Sequence, residues 1–216
     1  MKKASLTITI VLLQAFFGFA MAQTLSPKMQ TVFDACVQMQ SAIKAGNTAV
    51  LRTASATLKE CKVKDFSSFT PIDENPLSLD GHFVFDYEFA DSLIAGREVY
   101  KFAQRYADLS TVRGITSTPD QVYTKTCAIK GKSSAKYTFY STGTQELAVV
   151  AEPGGMVTLR VHDLTHDTWY NDTKKVKKGQ PSRILVFDLP TDKRSKLEVE
   201  VINRSKKDIS FVVISN

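Results

Sequence analysis

The sequence predicts an α+β protein in which an N-terminal helical hairpin precedes a C-terminal antiparallel β-sandwich of the jelly-roll-like kind. Three observations support this fold class. Between residues 26 and 61, apolar side chains recur at spacings of three and four, the period of an amphipathic helix. From about residue 121 onward the apolar period is two, the period of a half-buried strand. Glycine, proline and polar turns separate these later segments, as in sandwiches and jelly rolls.

The first 22 residues form a segment of a different kind. Lys2 and Lys3 precede an apolar run over residues 6–20, and the segment closes on the small residues Ala20 and Ala22. A cationic start, a short apolar middle and small residues two apart are typical of a secretory signal peptide. The run is too short and too polar to favour a permanent membrane span. We therefore expect cleavage after Ala22 and a periplasmic or secreted mature chain without an integral membrane segment.

The composition is that of an ordinary globular protein. Apolar residues make up 43% of the chain and charged residues 23%, which suits a folded domain with a core. The formal net charge of +6 falls to +4 without Lys2 and Lys3, and this charge is dispersed over several turns. Export and dispersed charge argue against nucleic acid as a partner. No cofactor is expected.

Residues 23–64 are expected to fold as the helical hairpin. Ser26 caps the first helix, which Gly46 ends, and Asn47 caps a second helix whose apolar stripe extends to Cys61. A single hairpin cannot bury its own apolar stripe. It must therefore pack on the remainder of the chain.

Three cysteines in an exported chain raise the question of a disulfide bond, because oxidising compartments permit disulfides. Cys36 and Cys61 lie on the two helices of the hairpin, and we predict that they pair. A turn at Gly46 places Cys36 opposite a residue near position 56, about one helical turn from Cys61, so the bridge requires a staggered hairpin. The alternative is that both residues and Cys127 are thiols that pack as small apolar side chains.

Residues 65–119 are expected to link the hairpin to the sandwich. Prolines, glycine and polar residues over 65–81 indicate a surface connection. Alternating aromatic residues over 82–89 predict a half-buried strand. Residues 91–109 fit either a helix or a hairpin that turns at Gly96, and the helix is preferred because the segment consists mostly of good helix formers.

Residues 120–216 are expected to form the β-sandwich. Eight segments have the period of short strands, and they are 121–130, 135–141, 145–152, 156–163, 168–171, 182–189, 197–203 and 209–215. The alternation is clearest in 197–203. There, Leu197, Val199 and Val201 are expected to face the core, while the two glutamates between them face water.

Five of these strands resemble the strand pattern of the bacterial pre-peptidase C-terminal domain. The motifs that carry the resemblance are Tyr137-Thr-Phe-Tyr, Gln145-Glu-Leu-Ala-Val-Val, Val157-Thr-Leu-Arg-Val-His-Asp, Leu197-Glu-Val-Glu-Val-Ile-Asn and Phe211-Val-Val-Ile, and it covers about residues 120–216. The resemblance implies a non-catalytic β-sandwich of secreted proteins, often attached to peptidases. In this chain the domain follows the helical hairpin instead.

The segment 162–167 is dense in metal-ligating residue types. The candidate metal ligands are His162, Asp163, His166 and Asp167. Two imidazoles four residues apart lie close together on one face only on a helix, whereas this segment follows an apparent strand and lacks the glutamate of a zinc-protease motif. A polar turn is therefore the preferred interpretation. A calcium alternative would use oxygen ligands from Asp163, Asp167, Asn171 and Asp172.

A hydrolytic function would need a nucleophile, a histidine base and an acid. No Gly-x-Ser-x-Gly motif is present, and His82, His162 and His166 are the only histidines. Asp86 and Glu88 could form a carboxylate pair for glycoside cleavage, but residues two apart on a strand equally describe a solvated face. We predict no catalytic residue.

The candidate ligand-binding residues are Trp169, Tyr170, Asn171 and Asp172. An exposed tryptophan can stack on a sugar ring while neighbouring amides and carboxylates hydrogen-bond its hydroxyls. Alternatively, the sole tryptophan closes the sandwich core. Four nearby lysines could meet an anionic surface, although solvated lysines that protect a sheet edge are preferred; they are Lys174, Lys175, Lys177 and Lys178.

Together these observations predict an exported, non-catalytic binding or protein-interaction module with an unknown protein or glycan partner. One alternative is a carbohydrate-binding protein that uses an exposed pair formed by Trp169 and Tyr170. The least favoured alternative is an unrecognised secreted hydrolase.

Overall fold

The computed structural model describes residues 24–72, 76–103, 121–171 and 179–216. The predicted signal peptide over residues 1–22 lies outside them. In the described part, helices pack on one side of a sandwich of two five-stranded sheets. The helices are α1 (Pro27–Ala45), α2 (Thr48–Glu60), α3 (Tyr87–Ala95) and α4 (Val99–Ala103).

The strands follow in chain order as β1 (Lys64–Asp65), β2 (Thr70–Pro71), β3 (Tyr123–Ile129), β4 (Ser134–Ser141), β5 (Thr144–Ala151), β6 (Val157–Asp163), β7 (Thr168–Asn171), β8 (Ser182–Asp188), β9 (Ser195–Asn203) and β10 (Ile209–Ser215). Sheet I has the order β1-β3-β10-β5-β8, and sheet II has the order β2-β4-β9-β6-β7. Neighbouring strands are antiparallel, apart from the short parallel pair β1–β3. The α+β sandwich is thereby confirmed, and all eight strands predicted in residues 120–216 are present.

Sheet I lies between the helices and sheet II. Along β5, Leu147 and Val149 pack towards sheet II, whereas Ala148 and Val150 pack against the helices, and all four are buried. Consecutive side chains of a strand point to opposite faces, so an unbroken run of buried residues means that both faces of the sheet are covered. The apolar stripe of the helical hairpin is therefore buried in one core with the side chains on this face of sheet I.

Local signals position the hairpin as predicted. Gly46 has a φ of 62°, the left-handed conformation that glycine adopts without steric cost, and it ends α1. The side chain of Asn47 accepts a hydrogen bond from the backbone N–H of Val50 at 3.1 Å and begins α2. The hydroxyl of Ser26 instead donates to Oε2 of Glu146 at 2.8 Å, which ties the start of α1 to β5.

The predicted strand over residues 82–89 is wrong. Phe83 and Phe85 are buried, as their alternation suggested, but the chain there is irregular and α3 begins within the segment. The side chain of Asp86 accepts a hydrogen bond from the backbone N–H of Glu88 at 3.1 Å and thereby caps α3. Asp86 and Glu88 consequently mark a helix start and are not paired on a strand.

The remainder of the linking segment is partly helical. The chain is helical on both sides of residues 96–98, and Arg97 between the two helices has a φ of 57°. The helix preferred for residues 91–109 is therefore interrupted next to Gly96, and residues 104–109 lie outside the described residues. Residues 64–71 also supply β1 and β2, where only a surface connection was expected.

The predicted disulfide between Cys36 and Cys61 does not form, because both residues are free thiols. The first helix ends at Ala45 and the second begins at Thr48. At 1.5 Å per residue, Cys36 lies about 14 Å from the turn and Cys61 about 20 Å from it. The two positions are thus about one helical turn out of step. Cys127 is also a free thiol and lies in the core between the sheets.

Candidate functional site: the outer face of sheet II

The side of sheet II that points away from sheet I, called here the outer face, is not covered by the described helices. Strand register aligns its side chains in rows. One row contains Trp169, His162, Glu198 and Thr138, because these residues are directly opposite one another across β7, β6, β9 and β4. The adjacent row contains Arg160, Glu200 and Lys136.

Exposed apolar side chains are concentrated on this face. Of the seven large apolar residues exposed in the described part of the chain, four belong to it, and they are Ile72, Tyr140, Leu164 and Trp169. Ile72 joins the face because its backbone N–H bonds to Lys136 just beyond β2, and Leu164 because its N–H bonds to Lys196 just beyond β6. A face that combines exposed apolar side chains with charged groups is typical of protein interaction surfaces.

Trp169 is the largest of these side chains, and a neighbouring ring orients it. Its ring stacks on the imidazole of His162, with centroids 4.2 Å apart and an interplanar angle of 8°. Nε2 of His162 in turn lies 2.8 Å from Oδ1 of Asp167. Trp169 is 49% exposed, so it does not close the core. It therefore presents a pre-oriented aromatic surface on edge strand β7.

Charged side chains occupy the centre of the outer face. Nζ of Lys136 lies 2.7 Å from Oε1 of Glu198, and Nη1 of Arg160 lies 3.6 Å from Oε2 of Glu200. Partly exposed ion pairs contribute little to stability, typically about 0–1 kcal/mol. Their main effect here is to give the face an alternating charge pattern between its aromatic margins.

Tyr170 does not share a face with Trp169, so the predicted exposed pair is not formed. Successive residues of a strand point to opposite sides. The ring of Tyr170 faces inward and stacks on Phe187 at 4.3 Å, and its hydroxyl donates to the carbonyl of Asp188 at 3.3 Å. The backbone of Asn171 pairs opposite Arg160.

Several predicted polar residues lie outside the described part of the chain. These are Asp172 and the lysines Lys174, Lys175, Lys177 and Lys178. The basic turn and the last residue of the predicted ligand-binding set therefore stay predictions.

The predicted metal ligands are divided between two pairs. His162 pairs with Asp167, and Nδ1 of His166 lies 2.7 Å from Oδ2 of Asp163. Because His162 and Asp163 are consecutive on β6, they point to opposite faces, and this separates the pairs. Within the described ranges, no group of three or more His, Cys, Asp or Glu side chains is placed to hold a metal ion. The predicted four-residue metal site is therefore not assembled.

Asp163 instead organises the turn between β6 and β7. Its Oδ1 accepts hydrogen bonds from the backbone N–H groups of Thr165 at 2.8 Å and His166 at 3.3 Å, while its Oδ2 accepts from Ser195 Oγ at 2.8 Å. Burial raises the pKa of Asp163, but the hydrogen bonds from His166, Ser195 and the backbone outweigh burial and lower it overall. This supports the polar-turn interpretation of the segment.

Asp163, His166 and Ser195 have the residue types of a hydrolytic triad in a different arrangement. In a triad, the serine contacts Nε2 of the histidine and the acid contacts Nδ1. Here Ser195 Oγ donates to the carboxylate and lies 3.3 Å from Nδ1, the nitrogen that already faces Asp163. Ser195 is also fully buried. The cluster joins the turn to β9 and does not present an activated nucleophile.

Sequence reasoning did not identify Ile72, Tyr140, Leu164 or Ser195. The alternation of β4 would have indicated that Tyr140 points away from Phe139 and the core. Ser195 carries no such signal, because it meets Asp163 only through the pairing of β6 with β9. Among the described helices, none combines the length and apolar character that crossing a membrane requires.

No protein-family model matches the sequence, and no curated protein matches it. Among solved structures, the chain is similar to the pre-peptidase C-terminal domain of a collagenase from Bacillus anthracis, with 16% identity and a TM-score of 0.31 over 46% of this chain and 99% of that chain. It is also similar to the mitogen from Yersinia pseudotuberculosis, with 15% identity and a TM-score of 0.32 over 44% of this chain and 85% of that chain.

A third similar structure is PliG from Salmonella Typhimurium, a periplasmic inhibitor of g-type lysozyme, with 16% identity and a TM-score of 0.30 over 49% of this chain and 95% of that chain. A pre-peptidase C-terminal domain, the family that the strand motifs resemble, is thus among these similar structures.

Proposed function

We propose that this chain is an exported, non-catalytic binding module that engages a protein partner through the outer face of sheet II. The observation that carries the proposal is that four of the seven exposed large apolar side chains in the described part of the chain lie on this one face, and they are Ile72, Tyr140, Leu164 and Trp169. A protein partner is favoured because such interfaces combine exposed aromatic anchors with polar and charged groups, and this face has both.

Two features support a role without catalysis. Ser195 is buried and donates to Asp163, so the cluster closest in composition to a hydrolytic triad offers no accessible nucleophile. The residues proposed as a carboxylate pair, Asp86 and Glu88, are engaged in starting α3. The export part of the proposal rests on the signal-peptide pattern of residues 1–22.

The test compares proteins captured by wild type and by two aromatic variants. Trp169→Ala removes the largest side chain of the outer face, and Tyr100→Ala removes an exposed aromatic side chain of α4, away from that face. Each immobilised protein is incubated with extract from the cells that produce it, and retained proteins are quantified by mass spectrometry. We expect a partner that wild type and Tyr100→Ala retain and Trp169→Ala loses. Identical retained sets for all three proteins would refute the proposal.

A second candidate function is carbohydrate binding by Trp169 alone. Its stacked, half-exposed ring supports this candidate, since a flat aromatic surface can pack on the apolar face of a sugar. Trp169 is the sole tryptophan, so its fluorescence reports directly on the site. Titration with soluble glycans should then change the emission with a saturable profile. An unchanged emission across a panel of neutral and acidic glycans would exclude this candidate.

A further inference from the structure

A cleft opens at one end of the sandwich, where strands of the two sheets begin or end. Its volume is about 210 Å³, and it is lined by Phe66, Ser68, Tyr123, Phe139, Tyr140, Ser141, Gln145, Arg194 and Asn216. Phe66 and Phe139 are buried and stand edge to face with centroids 5.1 Å apart, which makes them the floor. The cleft is separate from the Trp169 end of the outer face, although Tyr140 belongs to both.

The cleft contains a buried polar group with an unused acceptor. Gln145 is only 1% exposed. Its amide nitrogen carries two hydrogens and lies within hydrogen-bonding distance of three protein oxygens, namely the carbonyl of Glu146, Oγ of Ser215 and Oδ1 of Asn216. These acceptors fix the orientation of the amide. Its Oε1 accepts no hydrogen bond from the described residues and keeps contact with solvent, so this oxygen is open to a ligand that carries an O–H or N–H group.

The rim of the cleft carries a cation. The guanidinium of Arg194 lies 6.0 Å from the centroid of the Tyr140 ring, and both side chains are exposed. In the described part of the chain, no carboxylate side chain lies within ion-pairing distance of Arg194. Arginine presents donors in a geometry that matches a carboxylate.

We propose that this cleft binds a small aromatic carboxylate that also carries a hydroxyl group. The ring packs on Phe66 and Phe139, the hydroxyl donates to Oε1 of Gln145, and the carboxylate accepts from Arg194 at the rim. An apolar cavity of about 150 Å³ is known to hold benzene, so a cleft of about 210 Å³ has room for a substituted ring.

An aromatic ring fits the cleft better than a sugar ring of similar size. A monosaccharide carries four or five hydroxyl groups, and each would need a hydrogen-bond partner after leaving water. The floor formed by Phe66 and Phe139 offers none, whereas the walls carry the polar side chains of Ser68, Ser141 and Asn216. The part of the ligand that packs on the floor is therefore expected to be apolar, with its polar groups directed to the walls and the rim.

The test uses four probes and saturation-transfer NMR on the purified protein. The probes are 4-hydroxybenzoate, benzoate, phenol and glucuronate. We expect 4-hydroxybenzoate to bind most tightly and the loss of either its hydroxyl or its carboxylate to weaken binding roughly tenfold, as for one charge-assisted hydrogen bond. Absence of transfer to every aromatic probe, or tighter binding of glucuronate than of 4-hydroxybenzoate, would overturn the proposal.

Two pairs of variants locate the binding. Ser68→Phe fills the mouth of the cleft, whereas Ser67→Phe adds the same ring at the neighbouring exposed position that does not line it. Arg194→Gln removes the rim cation, and Lys207→Gln removes a charge from the turn between β9 and β10. We expect Ser68→Phe to abolish binding of 4-hydroxybenzoate and Arg194→Gln to weaken it roughly tenfold while leaving phenol unaffected. The two controls should match wild type.

All four substitutions are at exposed positions, and circular dichroism verifies that each variant is folded. Binding of 4-hydroxybenzoate that is unchanged in folded Ser68→Phe would place the ligand elsewhere and refute the site. Equal weakening of phenol and 4-hydroxybenzoate in Arg194→Gln would refute the role of the guanidinium as the carboxylate partner.

Discussion

Oδ2 of Asp163 lies 2.7 Å from Nδ1 of His166, and the Asp163 carboxylate is fully buried beneath the turn that ends β6. The carboxylate also accepts hydrogen bonds from Ser195 Oγ and from two backbone N–H groups. A buried carboxylate that accepts this many hydrogen bonds is stabilising while it is ionised. The turn that carries the edge strand of Trp169 therefore depends on one acidic side chain.

Asp163→Asn should destabilise the protein by about 1–3 kcal/mol, because it removes acceptors from buried donors. The folded-state pKa of Asp163 is lower than the unfolded value of about 3.9. Its stabilisation is thus present above that pH and is lost as the pH falls through the folded-state pKa. Urea unfolding at several pH values should show the difference between wild type and variant shrinking below about pH 4.

Asp167→Asn is the matched control for this experiment. Asp167 pairs with His162 but its side chain is 93% exposed. We expect a change in the free energy of unfolding within about 0.5 kcal/mol for Asp167→Asn. An equal loss in both variants would contradict the role assigned to the buried carboxylate.

Thiol labelling should distinguish the three cysteines. Burial raises the pKa of Cys36 above its usual range and raises that of Cys127 to about 11. Cys61 is half-buried at the end of α2, and burial raises its pKa as well. Because the thiolate is the reactive form, iodoacetamide at pH 8 should label Cys61 slowly, and the other two only after unfolding. Mass spectrometry of the labelled peptides gives the result, and a linked Cys36–Cys61 peptide would contradict it.

Glu146→Gln should loosen the start of α1. The buried carboxylate of Glu146 accepts one bifurcated hydrogen bond from the backbone N–H of Ser26, at 2.9 and 3.0 Å from its two oxygens, and one from the Ser26 hydroxyl at 2.8 Å. Loss of charge-assisted bonds of this kind costs about 1.5–3 kcal/mol. Hydrogen exchange should accelerate in the first turns of α1 and remain unchanged in sheet II. Glu60→Gln, at the exposed end of α2, should leave both regions unchanged.

Iodide should quench the fluorescence of Trp169 in the folded protein. The indole is 49% exposed, with one face against His162. The quenching constant is therefore expected to be smaller than in urea-unfolded protein but clearly above zero. Emission that iodide leaves unaffected would mean that Trp169 is buried, and it would remove the basis for both functions proposed for the outer face.

Local signals explain which parts of the fold the sequence could predict. Gly46 and Asn47 specify the hairpin because a left-handed residue and a cap act within a few residues of chain. The alternation of residues 197–203 predicts β9 for the same reason. Phe83 and Phe85 alternate too, and both are buried in the core beside the helices. The alternation did not predict a strand correctly, because Asp86 caps a helix that begins at the next residue.

The features that could not be predicted depend on contacts distant in sequence. The meeting of Asp163 with Ser195 depends on the register between β6 and β9. The cleft combines Phe66, Phe139 and Gln145, which come from both sheets and from the connection between them. The opposite orientations of Trp169 and Tyr170, by contrast, follow from strand periodicity alone and were predictable.

The helical layer has a consequence for how the protein can be approached. Because α1 packs on β5 and β10, and α2 and α3 share the same apolar core, one of the two broad sides of the sandwich is covered by the chain's own helices. Of the two broad sides, the opposite one is exposed, with Trp169 near one margin and Tyr140 near the other. A molecule that binds the outer face of sheet II is therefore separated from the helices by both sheets of the sandwich.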